Sequence, residues 1–187
     1  MKIQHPQERN IKTYDYNGIT VELVEWSDTV WCGKVGYADN NTDEPNVEKI
    51  MKDFMSVSAT PNSREDNWDV CISLNYLSNE RPSGVMFGFL VANDVQPDSY
   101  DIYKVSAAKF LRIRMCNETA EVLGHKPWTG GIPPYHWIGE QIAPRFGYTY
   151  GSNAIPIIEY YGFYKPEEGT HEYCYMYVPV KENNDMT

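Results

Sequence analysis

No apolar run in this chain approaches the ~20 residues that cross a bilayer, and Met1-Lys2-Ile3-Gln4-His5-Pro6-Gln7-Glu8 lacks the apolar core of a signal peptide. The chain is therefore expected to be cytoplasmic and away from membranes. Basic residues are scarce: 16 Lys and Arg stand against 26 Asp and Glu, giving a net charge of −10. The scattered cations leave no footprint for phosphate, so no direct nucleic-acid partner is expected. Cys32, Cys71, Cys116 and Cys174 form no C-x-x-C pair and lie in apolar stretches, which reads as reduced core cysteines without disulfide or zinc. His5, His125, His136 and His171 show no metal-ligand spacing. No Ser-His-Asp elbow occurs, and Gly130-Gly131 lacks the strand before it and the Lys after it that a phosphate loop uses. Neither a metal nor a cofactor is expected.

What is present is an acid in apolar company. Glu159 lies within Ile155-Pro156-Ile157-Ile158-Glu159-Tyr160-Tyr161-Gly162-Phe163, just ahead of a second aromatic run, Tyr173 to Tyr177. Burying a carboxylate without a partner costs several kcal/mol, so such a residue calls for a ligand or an exposed face. Read with a period of two, Glu159 and Tyr161 share one face, while Tyr173, Tyr175 and Tyr177 share a face of the second run. Pairing as a hairpin across Lys165-Pro166-Glu167-Glu168-Gly169, with these faces coinciding, would build a tyrosine wall around one carboxylate. That wall would suit a flat apolar guest, neutral or cationic; a solvated sheet face is the alternative.

Around these runs the pattern occurs twice. Ile19–Val24 and Val30–Tyr37 read as a β-ribbon bent near Ser27-Asp28. A helix over Pro45–Ser56 carries Val47, Ile50, Met51, Phe54 and Met55 in an i, i+3, i+4 stripe. Trp68–Tyr76 and Val85–Val91 follow as strands, the latter with Val85, Phe87, Phe89 and Val91 inward. The sequence restarts at Tyr100–Val105 and Ala108–Met115, then runs through a Gly/Pro-rich loop to a helix near Pro134–Arg145, stopped by Pro144 and Gly147. Two units, each strand-helix-strand-strand, are expected, with a cleft where their sheets abut. Trp26, Trp31, Trp68 and Trp137 read as core anchors, with Trp31 placed to face the cleft from the first half. Arg112 and Arg114 share a face with Phe110, opposite Leu111, Ile113 and Met115; if that face lines the cleft, one arginine would partner Glu159.

Three segments carry a family resemblance: Tyr100-Asp101-Ile102-Tyr103-Lys104-Val105-Ser106-Ala107-Ala108-Lys109-Phe110; Trp137-Ile138 with Ile142-Ala143-Pro144-Arg145-Phe146-Gly147-Tyr148; and Pro156-Ile157-Ile158-Glu159-Tyr160-Tyr161 with Tyr177-Val178-Pro179-Val180. In order and spacing they resemble the GyrI-like small-molecule-binding domain, the effector-binding domain of bacterial multidrug-responsive and AraC-type regulators. The resemblance covers about 19–182, with repeats near 19–95 and 100–182, an N-terminal extension over 1–18 and a tail over 183–187. It implies an α+β fold of tandem pseudo-twofold strand-helix-strand-strand units forming a mostly antiparallel sheet with a central ligand cleft. It also implies a carboxylate, here Glu159, that contacts cationic or polar aromatic ligands. Two departures stand out. Tyr175 occupies the position of a second acid found in many members, and Met1–Gly18 is too short for the helix-turn-helix of the regulators.

Three functions follow from this reading. A stand-alone binding protein would hold a planar hydrophobic guest, neutral or cationic, against Glu159, Tyr161, Tyr175 and Tyr177. A hydrolase of cyclopropane-bearing aromatic genotoxins, as the resemblance also implies, would use Glu159 as acid or base and Tyr161 beside a developing oxyanion. A sensor would act on a regulator protein or as a homodimer. The stiff loop Gly124 to Tyr135 is read either as a lid, with Trp128 or Tyr135 folded over the ligand, or as packing.

Overall fold

A computed structural model describes residues 8–39, 44–65, 69–75, 82–122, 135–151, 154–161, 164–165, 170–171 and 174–183. In chain order these form β1 (Glu8–Tyr16), β2 (Ile19–Trp26), β3 (Thr29–Tyr37), α1 (Val47–Met55), β4 (Asp69–Leu74), β5 (Gly84–Val91), β6 (Asp101–Val105), β7 (Ala108–Met115) and α2 (Asn117–Val122). The second half continues with α3, a helix of three short turns (Tyr135–Trp137, Ile138–Ile142, Ala143–Phe146). It then gives β8 (Tyr148–Tyr150), β9 (Ile157–Tyr161), β10 (Tyr164–Lys165), β11 (Thr170–His171) and β12 (Cys174–Glu182).

Local chemistry sets the element ends. Asn46 caps α1 through its side chain, accepting the Lys49 N–H at 3.0 Å, so the helix starts just after the expected Pro45. The π-helical middle turn of α3 gives way to a 3-10 turn at Pro144, and Gly147 closes it with φ 83°. Asn17 and Gly18, both at positive φ, make the tight turn between β1 and β2.

Ten of the strands form one sheet in the order β1-β2-β7-β12-β9-β4-β5-β3-β6, with β8 on β12, and β10 and β11 pair as a separate two-stranded sheet; every pairing is antiparallel. The fold is thus α+β, as expected. Its two halves exchange arms. β2 precedes β3 in sequence but lies beside β7, and β6 precedes β7 but lies beside β3. The two crossings touch where Asp28 accepts the Ala107 N–H at 2.7 Å.

Period-two alternation now acquires two destinations, both buried. On the outer face α1 and α3 cover the sheet: Ile50 of α1 packs with Cys71 and Val85, and Ile138 and Ile142 of α3 pack with Leu111, Ile113, Met115, Cys174 and Met176. On the inner face the sheet curls until Trp26 of β2 and Trp31 of β3 meet with ring centroids 6.0 Å apart, although five strands separate them in the sheet order. Phe110, Tyr160, Tyr177, Ile72 and Met86 complete this second core. Burial of both sides explains why β5 is apolar almost throughout, Gly-Val-Met-Phe-Gly-Phe-Leu-Val. Where β3 and β5 approach most closely, Gly33 faces Gly88; a Cβ on Gly88 would stand 2.4 Å from the Cys32 carbonyl oxygen.

Candidate functional site

The expected β9–β12 hairpin is present, but its register divides the proposed tyrosine wall. Cys174 pairs with Tyr161, Tyr175 with Tyr160, Met176 with Glu159 and Tyr177 with Ile158; β10 and β11 continue the same register toward the turn. Directly paired residues of antiparallel strands project to one face. Glu159 and Tyr161 therefore stand on the outer face with Met176 and Cys174, whereas Tyr175 and Tyr177 stand on the inner face with Tyr160 and Ile158. The two polar-aromatic faces do not coincide.

Glu159 sits at the seam between the two helical layers. On the β4 side its neighbour is Cys71, and Tyr161 packs against both the α1 cluster and the α3 cluster. The carboxyl is 6% exposed, and the Tyr161 hydroxyl donates a short hydrogen bond to it. Burial pushes its pKa up to about 7, with the Tyr161 hydrogen bond acting in the opposite direction. Among the described residues no cation contributes. Burial, and then the nearby Glu159 charge, also raise the Cys71 and Cys174 thiols, which makes both inert at neutral pH.

The inner face holds the opposite arrangement. Arg112, 4% exposed, forms ion pairs with Glu8 and Glu22, donating from Nε to Glu22 at 2.9 Å. Trp26 donates from Nε1 to Glu8 at 3.2 Å, and Asn10 donates to Glu22 at 3.0 Å. The guanidinium lies 5.0 Å from the centre of the Tyr175 ring, and Tyr177 hydrogen-bonds within the cluster. Burial works against the Arg112 charge, but Tyr177, Glu8 and Glu22 outweigh it and raise its pKa. Arg112 is thus on the far side of the sheet from Glu159 and is not its partner; Arg114 is exposed on that same inner-face side of β7.

Tyr135, the first residue of α3, is 5% exposed in the core that this helix covers, its carbonyl accepting the Tyr150 hydroxyl at 2.9 Å, so it packs the fold and is not a lid. Trp128, Tyr173 and Trp68 lie outside the described residues, as do His5 and His125. Trp26 and Trp31 are buried as anchors, Trp31 on the inner face; Trp137 is 38% exposed. Residues missed by sequence reading are Glu8 and Glu22. Both are acids on strands that are otherwise exposed or aliphatic, and the signal for the first was Asn17-Gly18, a strong hairpin dipeptide that pairs β1 with β2.

A cavity of about 490 Å³, within the size range of small-molecule sites, opens at the end of the sheet between Arg9, Glu25, Trp26, Ser27 and Ala107 to Lys109. Trp26 is common to this cavity and to the inner aromatic core. A second cavity, about 570 Å³, lies between the end of α1 and the β3–β6 edge. Among the described residues, no group of three or more His, Cys, Asp or Glu is placed to hold a metal, and no helix is long and apolar enough to cross a membrane.

Compared by sequence, the chain matches no protein-family model and no curated protein. Its structure is similar to solved ones. SAV2435 bound to tetraphenylphosphonium superposes with a TM-score of 0.53 at 13% identity, covering 86% of this chain and 93% of that one. The EcmrR C-terminal domain gives 0.53 at 11% identity, covering 87% and 97%. The chain shares the fold of these two domains. A putative transcription regulation protein from Staphylococcus aureus MU50 gives a TM-score of 0.51 at 13% identity, with 88% and 99% covered. Identities this low show a shared fold alone and leave the chemistry to the residues of this chain.

Proposed function

We propose that this GyrI-like chain is a small-molecule-binding protein that takes hydrophobic, cationic guests on the inner, aromatic face of its sheet. The observation that carries this reading is the convergence of Trp26, Trp31, Phe110, Tyr160 and Tyr177, with Tyr175 packed against them, into one aromatic cluster drawn from both halves, where Trp26 donates to the Glu8 carboxylate at 3.2 Å. Aromatic faces and carboxylates together attract a delocalised cation. The chain's own guanidinium already rests in such a position, against the Tyr175 ring and between two acids. The adjoining cavity at Trp26 offers a way in. Tetraphenylphosphonium, the ligand of SAV2435, has the chemistry this face fits: a single charge spread under aryl groups.

The test is calorimetric titration of tetraphenylphosphonium together with tryptophan fluorescence, on the wild type and on Tyr175→Ala, a half-buried position. Saturable binding with quenching, weakened about tenfold in the variant while the melting temperature holds, is expected. No saturable binding, or equal affinity in the two proteins, would sink the reading.

A second reading, hydrolysis of an electrophilic ring, draws on Glu159, whose carboxyl near 7 is the one suited to general acid–base chemistry at neutral pH. Product mass separates the two readings. Addition of one water to a cyclopropane-bearing substrate, abolished in Glu159→Gln, would establish turnover.

A further inference from the structure

The 570 Å³ cavity at the end of α1 takes no part in binding on the inner face or in the chemistry of Glu159, and its lining is of another kind. Three elements meet there. Asp53 comes from the last turn of α1, Lys34 from β3, and Ser99 and Asp101 from the start of β6, while Val57 and Ala59 supply an apolar floor. That floor is fixed in place. The Val57 N–H donates to the Phe54 carbonyl at 3.1 Å, and the hydroxyl of buried Tyr100 donates to the Ala59 carbonyl at 2.6 Å.

The charges around the cavity differ in how far they are already met. Asp53 is paired with Lys49 along the helix at 2.5 Å. Asp101 accepts the Val35 N–H through one carboxylate oxygen at 2.9 Å, which leaves its second oxygen open. Lys34 lies two residues beyond Cys32, which packs with Phe54, so it stands on the α1 side of the sheet. Among the described residues its ammonium has no ion-pair partner, and the Ser58 and Ser99 hydroxyls lining the same cavity make no hydrogen bond. One cation, one carboxylate oxygen and two hydroxyls therefore remain open above a small aliphatic floor. A ligand with a single charge of either sign would meet one opposite and one like charge there, whereas a zwitterion meets an opposite charge at each end. The negative end of the α1 dipole adds to the attraction for a ligand ammonium.

We propose that this cavity binds a free α-amino acid with an aliphatic side chain. Its carboxylate is taken by Lys34 and the Ser58 and Ser99 hydroxyls, its ammonium by Asp101, and its side chain lies on Val57 and Ala59. The volume falls within the range of small-molecule sites and admits such a ligand.

The experiment titrates L-leucine by calorimetry into the wild type, Lys34→Met and Asp101→Asn, alongside isocaproate, which is leucine without its ammonium, and isoamylamine, which is leucine without its carboxylate. Lys34→Met keeps the side-chain stem, Asp101→Asn keeps an oxygen for the Val35 N–H, and thermal melts report that each variant folds. Leucine is expected to bind the wild type at least about tenfold more tightly than either single-charge analogue, and each variant to lose about tenfold in leucine affinity. Whatever affinity isoamylamine has should survive Lys34→Met, and that of isocaproate should survive Asp101→Asn. A wild type that does not bind leucine, an analogue that binds as tightly as leucine, or leucine affinity unchanged in either variant would overturn the assignment. So would parallel loss of all three ligands in one variant, which would mark a general disturbance of the cavity in place of a lost charge partner.

Discussion

Glu159 and Arg112 are both charged residues buried inside one sheet, separated by a single strand, yet the protein treats them in opposite ways. Arg112 on β7 has two carboxylates, a tyrosine and an aromatic ring arranged around it. Glu159 on β9 has one tyrosine hydroxyl and two thiols as polar neighbours, and responds by moving its pKa to about 7. The inner face thus compensates its charge internally, while the outer face lets the charge be lost. A buried group handled in the first way fixes structure; one handled in the second way remains responsive to whatever arrives.

The largest expected effect comes from breaking the compensated side. Arg112→Met leaves Glu8 and Glu22 buried without their guanidinium and should cost about 3–5 kcal/mol of stability, read as a lower midpoint in denaturant unfolding. An unchanged midpoint would mean that the acids reach water.

The uncompensated side should show itself as a pH dependence. Glu159 has a folded pKa of about 7, above the ordinary carboxylic value, so the protonated form favours folding. The stability it confers is fully present below the unfolded pKa of about 4.5 and is lost as pH rises through about 7, a fall of about 3 kcal/mol at most. Glu159→Gln should remove that fall, making the variant more stable than the wild type at pH 8 and nearly equal to it at pH 4. Parallel stability curves for the two proteins would show that the carboxyl is solvated.

The smallest effect is expected at the rim. Arg9 and Glu25 form an ion pair whose side chains are 74 and 37% exposed, and Arg9→Ala should shift stability by no more than about 0.5 kcal/mol, falling further with added salt. A loss comparable with that of Arg112 would erase the contrast between buried and exposed pairs.

Much of this was legible in the sequence where alternation within a strand was the signal. Leu111, Ile113 and Met115 do separate from Phe110 and Arg112, and Val85, Phe87, Phe89 and Val91 do face a helix. The resemblance implied a mostly antiparallel α+β sheet, and the structure has it. What alternation cannot supply is which face of one strand meets which face of the next. Glu159 and Tyr177 were therefore expected together, and register placed Met176 opposite the acid instead. The arginine's partners were equally hidden, because Glu8 is 104 residues away and reaches Arg112 only through a strand whose sequence, Glu-Arg-Asn-Ile-Lys-Thr-Tyr-Asp-Tyr, is mostly polar. Its single buried residue is that glutamate, so no apolar period marked it. Helix α3 was foreseen in place but not in form, since a π turn leaves no mark distinct from an α-helical stripe.

The exchange of β2 and β6 between the halves has a consequence for how the chain can be divided. A cut in the connection between β5 and β6 would not release two miniature domains. Each fragment would carry an arm that completes the other's sheet and would lack the arm that completes its own, so neither should be stable by itself, and the pair should regain structure on mixing. In heredity as in the test tube, such a molecule behaves as a single indivisible unit: its halves can diverge in sequence, but they cannot part company.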